Sequence, residues 1–348
     1  MRLGIIVRAD KTGLGNQTRN LCKMLNPDKV LIIDSRPFNK NEQFFETYKG
    51  YYKQISRGFL TDQEINRFLI NLDTVITCEL FYSNNFVNIA NRRGVKTFNQ
   101  YNYEFFDNFS NPNLTLPTQL ISPSKWHLEE MQNNFGVVYL PPPINSVAFE
   151  DVFQYNNRRV GKRRFLHVVG REAVNDRNGT LDLLDSLQYT TSDFELVVKI
   201  QNNSSLPEKY IDPRITFDFS SPLDEVELYR DFDAMILPRR YAGLCLPMNE
   251  ALMAGLPVIM TDIDPNNKIL PKKWLVASER KGHFMTRTKI DIYSAKHKDL
   301  AKKIDELVNL SDRDLKLEKL GARAIGNLNY SDIILKPKYL ELLNGTNT

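Results

Sequence analysis

The sequence predicts an α/β protein with two domains, each built on a parallel sheet that helices cover on both faces. Its 348 residues suit about two domains of roughly 150 residues each. Short apolar strands alternate with helical segments, and this alternation stops at a proline-rich, basic stretch and then restarts. A hydrophobic content of 42% supplies the two cores, while a net charge of +4 permits a phosphate-rich partner without requiring one.

The first domain is predicted over residues 1–145. Its helices are expected at 15–25 and 124–135, the second because Ser124 can cap it and Glu129 and Glu130 lie in its early turns. The predicted strands are short and apolar, as in a sheet buried on both faces. They cover residues 2–7, 29–34, 73–78, 95–99 and 118–122.

The second domain is predicted over residues 146–328, and a helix over 329–348 is expected to pack back on the first domain. Residues 139–165 contain a triple proline and a basic cluster, which indicate a hinge between the domains. A helix is expected after Asp176, and charged helices between residues 294 and 324. The strands are predicted at 164–170, 194–200, 214–219, 232–238 and 257–262. Ligands of such sheets collect at the carboxyl ends of the strands, so we expect them in a cleft between the domains.

Cysteine usage and hydropathy indicate a cytoplasmic protein. Cys22, Cys78 and Cys245 match no metal pattern and leave one thiol over from any pairing, which suits a reducing compartment. The N-terminus becomes polar too soon for a signal peptide. Since no apolar run approaches the roughly 18 residues of a membrane span, none is expected.

A glycine-rich stretch, "RADKTGLGNQT", follows the first predicted strand and opens a helix. Gly13 and Gly15 would let the backbone approach a ligand closely, and the free N–H groups of the helix would attract an anion. The full dinucleotide-binding pattern is broken, because Thr18 stands where a third glycine is required. The alternative is a tight turn without a ligand.

A second loop, "VVGREAVNDRNGT", repeats this geometry in the second domain. Arg171 and Arg177 flank it, and Gly179 opens the next helix. Two guanidiniums beside a helix start suit a diphosphate, since they offer forked and permanent positive charge. The alternative is a solvated loop in which Arg171 pairs with Asp176.

A third stretch, "RRYAGLCLPMNEALMAGLPVIMTD", is the most specific. Gly243 and the glycine-proline breaks fix both ends of a short helix that carries one acid, Glu250. The carboxylate is expected in the early turns, where the helix dipole favours it, and could accept two hydrogen bonds from a ribose diol. The alternative is that Glu250 only caps its helix.

Together these stretches resemble the signatures of retaining GT-B glycosyltransferases of family 4, in family order. The resemblance implies two Rossmann-like domains and a nucleotide-sugar donor, UDP- or GDP-linked, held mainly by the second domain. It implies that Glu250 binds the donor ribose, that Arg171 and Arg177 face the diphosphate, and that these three residues serve catalysis. It adds to the donor site the glycine loops at Gly13, Gly15 and Asn16 and at Gly243, Leu244 and Cys245.

The chain departs from the family pattern in two places. The family has a second glutamate, which grips sugar hydroxyls, but here that region holds Arg239, Arg240 and Tyr241. The histidine of the family's first domain has no obvious counterpart, and "NQYNYEFFD" occupies its place. Tyr101, Asn102, Tyr103 and Glu104 are therefore predicted on the acceptor side, with aromatic packing as the alternative.

More closely, the chain resembles glycosyltransferases of tailed phages, some of which decorate hydroxymethylated bases of their own DNA. The resemblance implies a phage protein in the host cytoplasm, with double-stranded DNA as a possible partner. Lys and Arg contacts to phosphates dominate DNA affinity. The expected backbone contacts are Arg158, Arg159, Lys162, Arg163 and Arg164, with an ordinary solvated surface as the alternative.

The implied reaction requires no cofactor and no metal, although Asp231 and Asp233 match the spelling of a metal-binding pair. Other readings stay open at this point: transfer to a glycan, lipid or protein, and a nucleotide-binding or DNA-binding protein with a degenerate site. A nucleotide-sugar 2-epimerase is a further alternative, which would use Glu79 and Glu104 as acid and base.

Overall fold

The computed structural model describes residues 1–106, 111, 113–170, 176–200, 212–220 and 225–345. The chain forms two compact units. Unit 1 comprises residues 1–145, 286–288 and 332–348, and unit 2 comprises residues 146–285 and 289–331.

The described strands are β1 (Leu3–Arg8), β2 (Lys29–Asp34), β3 (Tyr52–Arg57), β4 (Thr74–Cys78), β5 (Lys96–Gln100), β6 (Gln119–Ser122), β7 (Val138–Tyr139), β8 (Arg164–Gly170), β9 (Glu195–Ile200), β10 (Ile215–Asp218), β11 (Ala234–Ile236), β12 (Val258–Thr261), β13 (Leu275–Val276), β14 (Ser278–Met285) and β15 (Lys289–Ala295). The helices are α1 (Gly13–Leu25), α2 (Arg36–Asn39), α3 (Asp62–Phe68), α4 (Phe86–Arg92), α5 (Leu128–Phe135), α6 (Ala148–Arg158), α7 (Thr180–Ser186), α8 (Leu246–Met253), α9 (His297–Val308), α10 (Asp312–Tyr330) and α11 (Asp332–Asn344).

Unit 1 contains a parallel sheet with the strand order β3-β2-β1-β4-β5-β6-β7. From β1 the chain moves outward through β2 and β3, and it then restarts at β4 on the other side of β1. The switch point therefore lies between β1 and β4, and the residues that follow Arg8 and Cys78 lie at its carboxyl edge.

Unit 2 contains a second parallel sheet, in the order β10-β9-β8-β11-β12-β13. Its switch point lies between β8 and β11, and the loops that follow Gly170 and Ile236 share its carboxyl edge. The two parallel-sheet α/β units confirm the predicted fold class.

An antiparallel hairpin of β14 and β15 also belongs largely to unit 2, and no sequence pattern predicted it. Strand β14, "SERKGHFM", has no buried residue, and its pairing shifts between Arg280 and Gly282. A strand without a buried face has no apolar alternation by which to recognise it. The helix expected from residue 294 begins only at His297.

The segment 139–165, predicted as a hinge, contains the division between the two units at residues 145 and 146, and it also contains a helix that was not predicted. Helix α6 buries Phe149, Val152 and Phe153 in unit 2. The predicted cap of α5 was wrong, because that helix begins at Leu128 after His127. Ser124 instead accepts the Trp126 N–H in the preceding turn.

The C-terminal helix α11 is part of unit 1. Leu335, Tyr339 and Leu342 are buried in the same cluster as residues of β1 and α1. The Tyr339 hydroxyl accepts a hydrogen bond from Gln100 Nε2 at 2.7 Å and donates one to the Pro141 carbonyl at 3.0 Å.

Within the described ranges, no helix combines the length and the apolar character that crossing a bilayer demands. Cys22, Cys78 and Cys245 are buried and form no disulfide.

Candidate functional site

The loop that precedes α7 is shaped by its own aspartate. The Asp176 carboxylate accepts the N–H groups of Thr180 and Leu181 at 3.0 and 2.9 Å. Burial raises the pKa of Asp176, and these two hydrogen bonds oppose the rise. The start of α7, which was expected to favour an external anion, is thus occupied by an internal carboxylate. Arg171 lies outside the described residues.

Gly179 lets this loop approach the end of β11. Its φ of +69° lies in the left-handed region, and a Cβ there would lie 2.0 Å from the Pro238 carbonyl oxygen. His167 of β8 fixes the same junction, since its ring nitrogens hydrogen-bond the Ile236 carbonyl at 2.7 Å and the Thr180 hydroxyl at 2.9 Å. Complete burial lowers the pKa of His167 to about 4.

Arg177 contacts the segment that follows β11. Its Nη2 donates to the Ala242 carbonyl at 2.8 Å, and its own carbonyl accepts the Arg240 N–H at 2.9 Å. Its guanidinium also lies over the Tyr241 ring, 5.0 Å from the ring centre. The loop of Arg177 and the glycine loop before α8 are therefore adjacent at the carboxyl edge of the sheet.

The glycine loop leaves backbone donors available before α8. Gly243 has a φ of +117°, which L-residues with a side chain rarely adopt. In the described part of the chain, nothing accepts the N–H groups of Gly243, Leu244 or Cys245. Three such amides beside a helix start are suited to bind an anion.

Glu250 lies in the second turn of α8, as the fifth residue of a helix whose first turn carries no acid. Its carboxylate accepts a hydrogen bond from the Tyr229 hydroxyl at 2.5 Å. Burial, followed by the charge of Glu250, raises the pKa of Tyr229 well above its ordinary value. The half-buried carboxylate is thus oriented by a side chain instead of capping its helix. Tyr229 was not predicted, because it lies in no recognisable sequence motif.

In unit 1, the loop of Gly13, Gly15 and Asn16 opens α1 as expected. The role of Gly15 is to pack against the protein itself, because a Cβ there would lie 1.9 Å from the Asp10 carbonyl oxygen. The side chain of Thr12 caps the helix by accepting the Gly15 N–H at 3.2 Å. Asn16 Oδ1 accepts a hydrogen bond from Arg19.

Two of the four predicted acceptor-side residues pack against other aromatic rings. Tyr101 packs on Phe106 at 5.3 Å, and Tyr103 stacks on His127 at 4.1 Å. Burial raises the pKa of Tyr101 and of Tyr103 to about 12.

The other two acceptor-side residues make polar contacts within unit 1. Asn102 Nδ2 donates to Glu79 Oε1 at 2.5 Å, and Glu79 directly follows β4 with a φ of +64°. Glu104 is buried, and its carbonyl accepts the Thr286 hydroxyl at 2.6 Å. Asn102 and Glu79 thus place one amide and one carboxylate beside the switch point of this sheet.

The basic cluster predicted to contact DNA is mostly paired with acids. Lys162 pairs with Asp193, Arg163 with Asp312, Arg159 with Asp231 and Asp233, and Arg164 with Asp231 and Glu195. Arg158 is exposed. Because Arg164 begins β8 and Asp233 precedes β11, the pairs lie at the amino edge of the sheet, opposite the candidate site. The expected position of this cluster beside the ligand site was therefore wrong, while its contact with DNA stays a prediction.

The two aspartates with metal-site spelling take part in this ion-pair network. Asp233 also accepts a hydrogen bond from the buried Lys319 at 2.7 Å. Across the described ranges, no three His, Cys, Asp or Glu side chains come together in a way that could hold a metal ion.

Comparisons with known proteins agree with this architecture. Residues 211–324 match the family model described as "Glycosyl transferases group 1". The fold is similar to that of a glycosyltransferase from Rickettsia africae ESF-5, with a TM-score of 0.69, 15% identity and 99% of each chain covered.

Two further solved structures are similar over almost the whole chain. Anabaena Alr3699/HepE in complex with UDP and glucose has a TM-score of 0.68 and 10% identity, covering 99% of this chain and 100% of that one. The apo form of the lipopolysaccharide outer core galactosyltransferase WaaB has a TM-score of 0.65 and 14% identity, with the same coverage. No curated protein sequence matches the chain. The protein has the GT-B fold, and about a third of its chain, residues 211–324, matches the glycosyl transferases group 1 model.

Proposed function

We propose that the protein is a retaining glycosyltransferase that moves a sugar from a nucleoside diphosphate to a hydroxyl group. The observation that carries the proposal is the contact of Arg177 with the glycine loop that leads into the helix of Glu250, at the carboxyl edge of one sheet. Arg177 contacts Ala242, unoccupied amides follow at Gly243 to Cys245, and the next helix carries Glu250. Arg177 and the amides match the negative charge of a diphosphate, and Glu250 matches the diol of a ribose.

The donor in this proposal lies with its diphosphate on the Gly243 loop and its ribose on Glu250. Arg177 and Arg171 supply positive charge to the phosphates, and the ribose hydroxyls donate to the carboxylate that Tyr229 orients. Uridine diphosphate is the first candidate nucleotide because an Anabaena neighbour is described in complex with UDP and glucose. A GDP-linked donor is the second.

The transfer step breaks the bond between the anomeric carbon and the distal phosphate oxygen. The acceptor hydroxyl oxygen forms the new bond from the same face, and its proton passes to the departing phosphate oxygen. Negative charge grows on the diphosphate as the bond breaks, so the guanidinium and the loop amides stabilise the transition state more than the ground state. No metal and no enzymic nucleophile take part.

The acceptor in this proposal is a hydroxymethylated pyrimidine of phage DNA, in the cytoplasm of the host. The sequence resemblance to phage enzymes supports it, whereas the paired basic cluster does not. Asn102 and Glu79 in unit 1 are the candidates for holding the acceptor hydroxyl, since both are polar side chains at the switch point.

The test is to incubate the protein with a panel of UDP- and GDP-sugars and several acceptors, then to weigh the products by mass spectrometry. The acceptors are hydroxymethylated DNA, plain DNA, an oligosaccharide and a lipid-linked sugar. A pentose or hexose increment on hydroxymethylated nucleosides alone supports the full proposal. An increment on another acceptor supports the transferase and rejects the DNA acceptor.

Parallel reactions without acceptor, run in deuterated water, address the rival enzyme class. Deuterium incorporation into the donor sugar, without transfer to any acceptor, would show an epimerase and overturn the proposal. NMR of the anomeric proton in a positive reaction decides retention, because an inverted product contradicts it.

A further inference from the structure

The residue that follows Pro238 is a buried arginine for which the proposed reaction gives no role. Arg239 is 4% exposed, and its Nη1 donates to the Leu244 carbonyl at 3.2 Å. Its Nε is buried and has no hydrogen-bond partner. Among the described residues it forms no ion pair with a carboxylate.

Such a cation is costly in the free protein. Arginine does not deprotonate in proteins, and a buried charge destabilises the fold unless an opposite charge and hydrogen bonds compensate it. Elsewhere in unit 2 this rule is met: the buried Lys319 pairs with Asp233 at 2.7 Å. An uncompensated arginine at the carboxyl edge therefore indicates that an anion from outside the protein supplies the missing charge.

The hydrogen bond of Arg239 also sets the direction of a backbone donor. In a trans peptide the C=O and N–H groups point in opposite directions. The Leu244 carbonyl is turned toward Arg239, so the Cys245 N–H of the same peptide points away from it. Arg177 does the same for the peptide that joins Ala242 and Gly243. It binds the Ala242 carbonyl, so the Gly243 N–H points away from Arg177.

We propose that Arg239 is a positioning residue for the donor diphosphate, which turns the Cys245 N–H toward the phosphates and attracts them with its buried positive charge from the other side of the same peptide. The proposal rests on the proposed function for the identity of the ligand. In this proposal Arg239 holds the Leu244 carbonyl as Arg177 holds the Ala242 carbonyl, two residues earlier. The two arginines hold the carbonyls on either side of Gly243.

Two substitutions separate the charge of Arg239 from its hydrogen bond. Arg239→Gln removes the charge but keeps a donor for the Leu244 carbonyl, whereas Arg239→Met removes both. Arg280→Gln is the control, because it makes the same change in net charge on the exposed hairpin, where Arg280 pairs with Asp291. Calorimetry measures the binding of UDP, GDP and inorganic pyrophosphate, and ligand-observed NMR measures the binding of uridine. The thermal unfolding of each variant is measured without ligand.

Both Arg239 variants are expected to weaken pyrophosphate and nucleotide binding about tenfold to a hundredfold, because the phosphates lose a nearby positive charge and, in Arg239→Met, also the orientation of the Cys245 amide. Uridine binding stays unchanged. The unfolding temperature without ligand stays the same or rises in Arg239→Met, because an uncompensated buried charge is removed. If Arg239 only supported the fold, its substitution would instead lower the unfolding temperature and would weaken pyrophosphate and uridine binding alike.

Unchanged pyrophosphate affinity in Arg239→Gln would overturn this proposal, as would equal losses for uridine and UDP. It is also overturned if the wild-type protein binds none of pyrophosphate, UDP and GDP. Failure of the proposed function looks different, because the wild-type protein would then bind a nucleotide diphosphate through Arg239 but transfer no sugar.

Discussion

At the scale of single residues, the contacts of Glu250 show that its carboxylate does not cap its helix. Its carboxylate accepts a hydrogen bond from the Tyr229 hydroxyl at 2.5 Å, and it lies two residues beyond the third helical position, from which an acid can complete a capping box. The sequence identified Glu250 by its glycine-proline frame but gave no sign of Tyr229. A contact between residues 21 positions apart depends on tertiary packing, which no local pattern records.

Glu250→Gln is expected to reduce kcat/KM for the donor about tenfold to a hundredfold, because the amide replaces a charged acceptor of ribose hydroxyls by a neutral one. Steady-state kinetics with the active nucleotide sugar measures the effect. Glu306→Gln, on the exposed surface of α9, is the matched control with unchanged kinetics. Equal kcat/KM in Glu250→Gln and the wild type would contradict the assignment.

Residue types were easier to assign than their partners. Arg177 was predicted to face a diphosphate, and in the structure it contacts the glycine loop through Ala242. The contact of Asp176 with the first N–H groups of α7 was not predicted. The basic cluster was misjudged for a similar reason. The acids that pair with those cations, Asp193 and Glu195, Asp231, and Asp312, come from three separate segments, and their convergence follows from the fold.

At the scale of elements, one histidine and one glycine hold the β8–β11 junction that frames the candidate site. His167 joins the last residue of β11 to the first residue of α7, and Gly179 lets the intervening loop touch Pro238. Buried apolar strands such as β8 were predicted well, because burial on both faces leaves a continuous apolar run. The hairpin β14–β15 lacked that signal.

His167 predicts how the stability of unit 2 depends on pH. Its pKa falls from an ordinary 6.5 to about 4 in the folded state, so between these values the unfolded chain binds a proton that the native state lacks. Stability is therefore complete above about pH 6.5 and decreases as pH falls toward 4, by on the order of 3 kcal/mol.

Chemical unfolding between pH 4 and 7, followed by Trp274 fluorescence in a Trp126→Phe background, measures this slope. Trp274 lies in unit 2 and Trp126 in unit 1, and they are the two tryptophans of the sequence. His167→Gln should remove the histidine contribution, so that its curve is flatter than that of the parent. Parallel curves would exclude His167 as the cause.

Gly179→Ala is expected to destabilise unit 2 by about 2 kcal/mol or more, because the added Cβ meets both a left-handed φ and the Pro238 carbonyl. Gly161→Ala is the matched control. Gly161 also has a positive φ, +104°, but its Cβ would meet no atom within 4 Å, so only about 1 kcal/mol is expected. The same fluorescence measurement compares them, and equal losses would show that contact with Pro238 is unimportant.

At the scale of the whole molecule, the chain forms two α/β units, and its last helix belongs to the first of them. The length and the repeated alternation of strands predicted two domains. The two compact units divide between residues 145 and 146, and again between 331 and 332, where the prediction had 328 and 329. The short segment 286–288 also belongs to unit 1, which no sequence pattern indicated. Long-range assignments of this kind require the packed structure.

Tyr339→Ala is expected to destabilise unit 1 by roughly 3–5 kcal/mol, because it removes a fully buried ring and its hydrogen bonds to Gln100 and Pro141. Trp126 fluorescence in a Trp274→Phe background reports this loss. The transition of Trp274, measured separately in the Trp126→Phe background, should keep its midpoint. An equal shift of both transitions would mean that the units do not unfold separately.

A crystal structure of the protein with the nucleoside diphosphate that it binds tests the central claim most directly. We predict that the diphosphate contacts the Gly243–Cys245 amides and that a ribose hydroxyl lies within about 2.6–3.2 Å of a Glu250 carboxylate oxygen. A nucleotide bound elsewhere, or a ribose out of reach of Glu250, would contradict the account.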